Sequence, residues 1–383
     1  MKYYIIAGEA SGDLHGSNLM KGLYAQDPRA DIRFWGGDLM NAVFKAHQEG
    51  IGLIKDYREG AVMGFWEVLM QARSLAKKIQ LCKDDILAWK PDVVILIDYP
   101  GFNFRIAEFA HNAGFKVFYY IAPKVWASRE GRIRKLKAYV DRLFIVFPFE
   151  KAYFDRHGVP YVYAGNPLVD AIDGSAALSE TREAFLQRTH LPDAPFIALL
   201  AGSRNMEIGS MMPSFMQVAD QWHARHSEYH FVVAAAPSRS MEDYAKYLGG
   251  RDFVHVVFGE TYGALRHARA AAINSGTASL EAALIGTPQV VGYKMSAITA
   301  AIARHMIKVR YVSLANLILD RLAFKEFLQE HFTAAHLLEE LERLVYDEPY
   351  RQEMLESYAE VRQMLGGSGA SNAVARAMIQ ELQ

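Results

Sequence analysis

The sequence has almost no cysteine, no long apolar run and no excess of charge of either sign. Cys82 is the one cysteine among 383 residues, which excludes an internal disulfide and a cysteine-rich zinc site and indicates a reducing compartment such as the cytoplasm. No apolar stretch approaches the roughly 20 residues needed to span a bilayer, and the N-terminal apolar run is too short for a signal peptide. With 42 basic and 43 acidic side chains, a generally basic nucleic-acid binder is excluded.

Several motifs that would hold a metal ion or a dinucleotide are also missing. The sequence contains neither Asp-x-Asp nor HExxH, and the glycines at 8, 12 and 16 do not form GxGxxG. His223, His226 and His230 have spacings that suit a metal, but the residues between them indicate the end of a helix followed by a strand. We therefore expect no metal site and no nicotinamide or flavin cofactor.

What is present is a regular alternation of short apolar runs with longer amphipathic ones. Such runs separated by helices are typical of parallel sheets covered on both faces. Strands are predicted at 2–7, 92–97, 116–121 and 142–147 and, after the polar segment 173–180, at 196–200, 230–236, 253–258, 270–273 and 289–291. We predict an α/β fold in which two Rossmann-like units, 1–172 and 173–355, face a cleft. The helical segment 356–383 is expected to pack back on the first unit.

Acidic residues follow two of the predicted strands of the first half. Asp98 comes directly after strand 92–97, where side chains face the ligand crevice of open α/β sheets, and a carboxylate there can act as a general base. The alternative is an aspartate that only initiates a turn before Pro100. Glu9, Gly12 and Asp13 follow the first strand. The glycines at 8, 12 and 16 are expected to let a ligand approach the backbone there, and the negative charge of Glu9 and Asp13 favours a hydroxyl-rich sugar over a phosphate. A tight strand-to-helix turn is the structural alternative there.

The second half carries two features that suit phosphate. Ser203 and Arg204 follow its first strand, and an arginine in a small turn can bind two phosphate oxygens. The segment 275–278, formed by Ser275, Gly276, Thr277 and Ala278, precedes a helix predicted to begin near Leu280, and a helix N-terminus binds anions. Glu281 is expected in the first turn, where it either accepts hydrogen bonds from ribose hydroxyls or complements the helix dipole. Together these features predict one nucleoside diphosphate site.

One apolar stretch lies beside basic residues. Segment 61–78 contains Val62, Met63, Phe65, Trp66 and Leu69, followed by Arg73, Lys77 and Lys78, and a second basic run covers 129–137. This composition fits an element that lies on a membrane or closes over acyl chains. A helix that faces the core is the alternative.

These motifs occur together in one family. The matching segments are AGEASGD at 7–13, AVMGFWEVL at 61–69, IDYPGFN at 97–103, APKVWASR at 122–129, FPFEKAYF at 147–154, AGSRNMEI at 201–208, SGTASLEAAL at 275–284, PQVVGYKM at 288–295 and YVSLANLI at 311–318. Through them the chain resembles the lipid-A-disaccharide synthases, family 19 glycosyltransferases with the GT-B fold. The resemblance implies transfer of 2,3-diacylglucosamine from UDP-2,3-diacylglucosamine to the 6-hydroxyl of 2,3-diacylglucosamine 1-phosphate, with inversion, release of UDP and no metal ion.

The resemblance also implies roles for particular residues. Asp98 would be the base, and Arg204 and segment 275–278 would stabilise the departing diphosphate. Glu281 would bind the ribose, the backbone around Tyr293 the uracil, and Asn316 would face the donor. On the acceptor side the implied residues are Glu9, Gly12 and Asp13, with Val62, Met63, Phe65, Trp66 and Leu69 facing acyl chains. The enzyme would contact the cytoplasmic face of the inner membrane peripherally.

The chain departs from the family pattern at Lys124, where a serine is usual, and at Ser128, where a tryptophan is usual. Both changes bear on the acceptor side. Two other classes of function stay open at this stage. One is another GT-B enzyme that uses a UDP-amino sugar, either a polyprenyl-lipid transferase or an epimerase. The other is a catalytically silent nucleotide- or lipid-binding protein.

Overall fold

The computed structural model describes residues 1–58, 67–126, 130–294 and 310–383. The chain divides into two compact units, one formed by Met1–Ala171 with Leu365–Gln383 and the other by Ile172–Met364. The first boundary falls one residue before the expected position, and the chain returns to the first unit at Leu365 rather than at 356.

The first unit is built on a seven-stranded parallel sheet. Its strands are β1 (Lys2–Ala7), β2 (Asp31–Gly36), β3 (Leu53–Asp56), β4 (Val93–Ile97), β5 (Lys116–Tyr120), β6 (Arg142–Ile145) and β7 (Tyr161–Tyr163). Their spatial order is β3-β2-β1-β4-β5-β6-β7. In the register of the sheet, Tyr3 pairs with Ile32 on one side and with Val93 on the other.

Helices cover both faces of this sheet. They are α1 (Ala10–Gln26), α2 (Asp38–His47), α3 (Glu67–Trp89), α4 (Pro100–Asn112), α5 (Ile133–Tyr139) and α6 (Pro148–His157), with α7 (Pro167–Asp173) at the unit boundary. Successive side chains of a strand point to opposite faces. Tyr3 and Ile5 accordingly lie in the core beneath α1 and α2, whereas Tyr4 and Ile6 lie in the core beneath α3 and α4.

The second unit contains a six-stranded parallel sheet. Its strands are β8 (Phe196–Leu200), β9 (His230–Ala235), β10 (Val254–Phe258), β11 (Ala270–Asn274), β12 (Gln289–Tyr293) and β13 (Glu326–Leu328), in the order β10-β9-β8-β11-β12-β13. The helices are α8 (Arg182–Thr189), α9 (Asn205–His223), α10 (Met241–Leu248), α11 (Thr261–His267), α12 (Thr277–Ile285), α13 (Leu314–Leu319), α14 (Ala334–Tyr346) and α15 (Glu348–Leu365). The predicted fold class, two Rossmann-like parallel-sheet units, is confirmed.

The last helix, α16 (Ala370–Gln380), belongs to the first unit. It packs closely on α1, because a Cβ atom at Gly22 would lie only 2.9 Å from the Cβ atom of Ala375. Asp170 accepts hydrogen bonds from the N–H groups of Gly369 (2.5 Å) and Ser371 (2.7 Å) at the start of α16. An acceptor at a helix N-terminus satisfies N–H groups that have no partner within the helix. The C-terminal helix is thus fastened to the end of the first unit.

Among the residues that the structure describes, none of the helices combines the length and the apolar composition needed to cross a bilayer.

Candidate functional site

Each sheet has one position where the strand order reverses. In the first unit it lies between β1 and β4, and in the second between β8 and β11. Ligands of open α/β sheets bind outside the carboxyl ends of the strands at this point. The loops after β1, β4, β8 and β11 carry Glu9, Asp98, Arg204 and Ser275 respectively. All four strand-end loops selected from the sequence therefore lie at the two switch points.

Asp98 stands in a strained turn that its neighbours hold in place. Asp98 and Tyr99 both adopt left-handed backbone angles, with φ values of 42° and 45°. A non-glycine residue in this region costs about 1–3 kcal/mol and persists only where its surroundings enforce it. The main-chain carbonyl of Asp98 accepts hydrogen bonds from the Tyr119 hydroxyl (2.6 Å) and the Asn103 amide (2.8 Å), and the Asp98 N–H donates to the Tyr120 carbonyl (3.1 Å).

The electrostatic surroundings of Asp98 suit a base. The pKa of its carboxyl is raised to about 6, chiefly by burial and in smaller part by the negative charge of Glu9. Lys124 and the N–H of Tyr99 act in the opposite direction on this pKa. A general base is most effective when its pKa lies near the working pH. Asp98 can therefore be ionised at neutral pH and still take up a proton.

The three glycines after β1 serve the packing of protein against protein. A Cβ atom at Gly8 would lie 2.2 Å from the ring of Tyr99, and one at Gly16 would lie 2.5 Å from the sulfur of Met40. Gly12 is buried, and its Cβ atom would lie 3.2 Å from that of Ala7. The expectation that these glycines admit a ligand to the backbone is corrected, because side chains of the chain itself occupy that space.

Asp13 has a structural partner that the sequence did not reveal. Its carboxylate is buried and accepts hydrogen bonds from the N–H groups of Gly37 (2.8 Å), Leu39 (3.1 Å) and Met40 (3.1 Å) at the start of α2. A carboxylate at this position caps the helix and matches its dipole. Asp13 thus fixes α2 against α1. Of the three residues predicted on the acceptor side, Glu9 is the exposed one that acts on Asp98.

Glu150, at the start of α6, is a residue that sequence reasoning missed. Its buried carboxylate accepts hydrogen bonds from the N–H groups of Val146 (3.1 Å) and Phe147 (3.0 Å) and from the indole N–H of Trp126 (3.1 Å). Burial raises the pKa of the Glu150 carboxyl to about 7. Glu150 thereby anchors Trp126 and the short segment that carries the exposed Lys124. A glutamate three residues into a helix that begins with proline was the available signal.

In the second unit, the loop after β8 is held from both sides. Glu207 accepts hydrogen bonds from the N–H groups of Ser203 (2.9 Å) and Arg204 (3.1 Å), and it forms an ion pair with the Arg204 guanidinium (3.0 Å). Arg239 donates from Nε to the Ser203 carbonyl (2.7 Å). Gly202 has φ = +100°, and a Cβ atom there would overlap Glu207. Glu207 and Arg239 are the residues of this site that sequence reasoning missed.

The N-terminus of α12 presents small residues to solvent. Gly276 and Thr277 are exposed, and the Ser275 N–H donates to the carbonyl of Gly292 (3.0 Å). The helix begins at Thr277, three residues before the predicted start. Glu281 consequently lies in the second turn and not in the first, which corrects the prediction and weakens the helix-dipole alternative.

Glu281 is paired with Tyr262, and burial raises the pKa of the Glu281 carboxyl. The Tyr262 hydroxyl donates a 3.0 Å hydrogen bond to Glu281 Oε1. Tyr293 ends β12 and is partly buried. Among the described residues, no group of three or more His, Cys, Asp or Glu side chains is placed to hold a metal ion.

Asn316 does not face an open site. Its side chain is fully buried, and the amide donates to the Phe324 carbonyl (3.1 Å) and to Glu326 (2.9 Å). Its oxygen accepts a hydrogen bond from the Ala323 N–H (2.7 Å). The prediction that Asn316 faces the donor is corrected for this structure, because the amide is used to hold the loop between α13 and β13.

Of the residues predicted to face acyl chains, Val62, Met63, Phe65 and Trp66 lie outside the described residues, and for Leu69 the structure describes only its place in α3. The second basic run is described from Glu130 onward. In α5, Arg134, Lys135 and Lys137 are exposed, whereas Ile133 and Leu136 are buried. The basic residues therefore form the outer face of that helix.

Two Rossmann-like parallel-sheet units of this kind are the architecture of the GT-B fold. The chain is similar in fold to the UDP-GlcNAc 2-epimerase of Neisseria meningitidis bound to UDP-GlcNAc, with a TM-score of 0.72 and 15% identity over 99% of this chain and 100% of that one. It is also similar in fold to CalG4, the calicheamicin glycosyltransferase, with a TM-score of 0.59 and 14% identity over 100% and 97% of the two chains. At such identities these likenesses describe the fold.

The sequence comparisons identify the family. Residues 3–378 match the sequence model of the lipid-A-disaccharide synthetase family. The lipid-A-disaccharide synthase of Myxococcus xanthus is 37% identical over 99% of this chain and 97% of its own length, and that of Geobacter metallireducens is 35% identical over 99% and 96%. The chain belongs to the lipid-A-disaccharide synthetase family. It is a glycosyltransferase of lipid A biosynthesis, and the resemblance found in the sequence motifs is confirmed.

Proposed function

We propose that this glycosyltransferase moves 2,3-diacylglucosamine from UDP-2,3-diacylglucosamine to the 6-hydroxyl of 2,3-diacylglucosamine 1-phosphate. The products are the β-1′,6-linked disaccharide 1-phosphate and UDP. The observation that carries the proposal is Asp98, held at the switch point of the first unit with a pKa raised to about 6. Membership of the family supplies the reaction class.

Asp98 acts as the general base in a single displacement. Its carboxylate takes the proton of the acceptor 6-hydroxyl as that oxygen attacks the anomeric carbon of the donor. The bond from the anomeric carbon to the UDP oxygen breaks, and the configuration inverts. Because the pKa of Asp98 lies below neutrality, the carboxylate is in the proton-accepting form at pH 7 and above.

The second unit binds the donor. Negative charge develops on the departing diphosphate, and both an arginine and the N-terminus of a helix stabilise such charge. Arg204, with Ser203 beside it, and the exposed start of α12 at 275–278 supply these groups. Glu281 binds the ribose hydroxyls, and the backbone at Tyr293 binds the uracil. In this proposal the cationic and N–H groups stabilise the charge on the diphosphate in place of a metal ion, and no cofactor takes part.

Both proposed substrates carry acyl chains, so the enzyme has to meet them at a bilayer. We place this contact on the cytoplasmic face of the inner membrane, where it is peripheral. The apolar residues of segment 62–69 supply the contact, and the basic outer face of α5 adds attraction to anionic lipid.

The decisive experiment measures UDP release by purified enzyme with the donor and with or without the acylated glucosamine phosphate. Asp98→Asn should lower kcat by about 10²–10⁴, the range typical of losing a general base, and should leave UDP affinity unchanged. Asp92→Asn is the matched control, since Asp92 stands just before β4, at its opposite end. Near wild-type kcat in Asp98→Asn would remove Asp98 from this role.

EDTA tests the metal-free part of the proposal. The rate should be the same with and without the chelator. Inhibition by EDTA that a divalent ion reverses would contradict it.

A further inference from the structure

One peptide group of the second unit is bound by side chains at both of its ends. It joins Ser203 to Arg204 in the loop after β8, at the switch point of the sheet. Its carbonyl oxygen accepts a hydrogen bond from Arg239 Nε (2.7 Å), and its N–H donates to a carboxylate oxygen of Glu207 (3.1 Å). A trans peptide is planar, and its C=O and N–H point in opposite directions. The two side chains together therefore fix the orientation of this peptide plane.

Arg239 holds the loop through more than one bond. Its Nη2 also donates to the Ser203 carbonyl, and its Nη1 donates to the side-chain oxygen of Asn205. The guanidinium is a planar group whose N–H directions are fixed relative to one another, so these bonds set its direction as well as its position. The side chain of Arg239 is 15% exposed, and a carboxylate oxygen of Asp243 at the start of α10 lies 3.9 Å from its Nη1.

The bound peptide plane ends at the Cα atom of Arg204, so its orientation sets the direction in which that side chain leaves the main chain. The Arg204 side chain is 66% exposed, and its guanidinium pairs with Glu207 at 3.0 Å. Gly202, just before the loop, has φ = +100°, and glycine offers little steric resistance to rotation of the backbone. The shape of the loop therefore depends on the contacts that Arg239 and Glu207 make with it.

We propose that Arg239 is a positioning residue for the diphosphate of the donor. It acts from the loop between β9 and α10 by holding the Ser203 carbonyl, and this keeps Arg204 directed toward the phosphates. Arg239 itself does not touch the substrate. The inference rests on the proposed function, which gives Arg204 the task of stabilising the departing diphosphate. Such stabilisation depends on groups that are in place before charge develops.

Arg251 provides a matched control in the same unit. Its Nη1 donates to the main-chain carbonyl of Leu248 (2.7 Å), and its Nε pairs with Asp220 (2.5 Å). Its side chain is 23% exposed, close to the value for Arg239. Arg239 precedes the first residue of α10 and Arg251 follows the last, so the two arginines lie at opposite ends of one helix. Replacement of Arg251 removes similar bonds without any link to Arg204.

The test measures UDP release by Arg239→Met, Arg239→Lys and Arg251→Met. Arg239→Met should lower kcat by about tenfold or more, the effect of a misplaced charged group. It should raise the Kd of UDP by a smaller factor, about threefold, because the charge on the diphosphate grows in the transition state. KM for the acceptor should stay within about twofold of wild type, and Arg251→Met should leave kcat within the same range.

Arg239→Lys should recover part of the lost kcat. Its ammonium group can still donate to the Ser203 carbonyl, but it lacks the planar fork that also reaches Asn205. The melting temperature of Arg239→Met should match that of Arg251→Met. If Arg239→Met does not fold, Arg239→Lys carries the same test with a smaller expected loss. Wild-type kcat in a folded Arg239→Met, or an equal loss of kcat in Arg251→Met, would overturn the proposal.

A double-mutant cycle with Arg204→Met shows whether Arg239 acts through Arg204. If it does, the double variant should be no slower than Arg204→Met alone, whereas losses that multiply would overturn the proposal. Wild-type kcat in Arg204→Met would instead contradict the proposed function itself. Calorimetry with UDP repeats the cycle without turnover. The Kd of the double variant should equal that of Arg204→Met, and independent losses of UDP affinity would again overturn the role of Arg239.

Discussion

The hydroxyl of Tyr119 donates a 2.6 Å hydrogen bond to the main-chain carbonyl of Asp98. Tyr119 is fully buried in β5, so this bond ties the proposed catalytic turn to the neighbouring strand. Because Asp98 and Tyr99 both have positive φ, the turn needs such outside support to keep its shape. The hydroxyl of Tyr119 is therefore expected to position the base without touching the substrate.

Tyr119→Phe should have a small effect on stability and a larger effect on catalysis. Loss of the hydroxyl should lower the free energy of unfolding by about 0.5–1.5 kcal/mol and lower kcat by about tenfold or more through misplacement of Asp98. Urea unfolding and the UDP-release assay measure the two effects. Tyr3→Phe is the control, because its hydroxyl donates to Asp27 (3.2 Å) elsewhere in the same sheet. An unchanged kcat in Tyr119→Phe would show that the bond is only structural.

The pH dependence of kcat/KM should have an acid limb near pH 6. Burial raises the pKa of Asp98 to about 6, so the reactive carboxylate is present above that pH and is protonated as the pH falls below it. Lys124 lowers this pKa and Glu9 raises it. Lys124→Ser should therefore move the limb to higher pH, and Glu9→Gln should move it to lower pH.

The two variants serve as controls for each other, since their shifts have opposite signs. The measurement is kcat/KM from about pH 4.5 to about pH 8 with a fixed acceptor, which covers roughly 1.5 to 2 pH units on either side of the limb. Shifts in the same direction, or no shift in either variant, would contradict the assignment of the limb to Asp98.

Glu281 and Tyr262 should contribute to nucleotide affinity as a pair. Glu281→Gln should weaken UDP binding by about 10-fold to 100-fold, the loss expected for a charged hydrogen bond. Tyr262→Phe should have a smaller effect, because its hydroxyl only orients the Glu281 carboxylate (3.0 Å). Calorimetry with UDP and with 2′-deoxy-UDP checks the contact. The effect of Glu281→Gln should shrink with the deoxy nucleotide, and Glu242→Gln, an exposed change on α10, should have none. An equal loss for both nucleotides would argue against a ribose contact.

Much of the fold could be predicted because most strands are continuous apolar runs. β4 (VVILI) and β8 (FIALL) are of this kind. β2 was missed because Asp31 and Arg33 alternate with apolar residues in it, and β3 was missed because only two of its four residues are apolar. β7 and β13 were missed because each has only three residues. Strands were therefore missed where they are very short or where polar residues interrupt the apolar run.

The strand-end loops of the candidate site could be predicted from the sequence, but the distant residues that hydrogen-bond to these loops could not. Asp98 and Arg204 follow recognisable strands, and the switch-point rule then brings their loops to the ligand edge. Arg239, by contrast, reaches the Ser203 carbonyl across 36 positions of sequence, and only the fold brings them together. For Asn316 the prediction itself was wrong, because a ligand contact was expected and the side chain instead holds a loop. A motif marks a residue as important, but it does not tell whether the side chain meets a ligand or holds a loop.

The last prediction concerns the membrane. Phe65 and Trp66 stand in the apolar segment 62–69, and burial of apolar area contributes about 25 cal/mol per Å². Partial insertion of these two rings would therefore contribute a few kcal/mol to vesicle binding (about 100 Å² of buried area gives ~2.5 kcal/mol). Changing both residues to Ser should reduce co-sedimentation with anionic vesicles and raise the apparent KM for the acylated acceptor, with UDP affinity unchanged. Leu322→Ser, which removes a side chain that is 55% exposed in the second unit, should change neither quantity. If the double variant unfolds or loses UDP binding as well, the two residues belong to the core, and lipid contact has to be sought elsewhere.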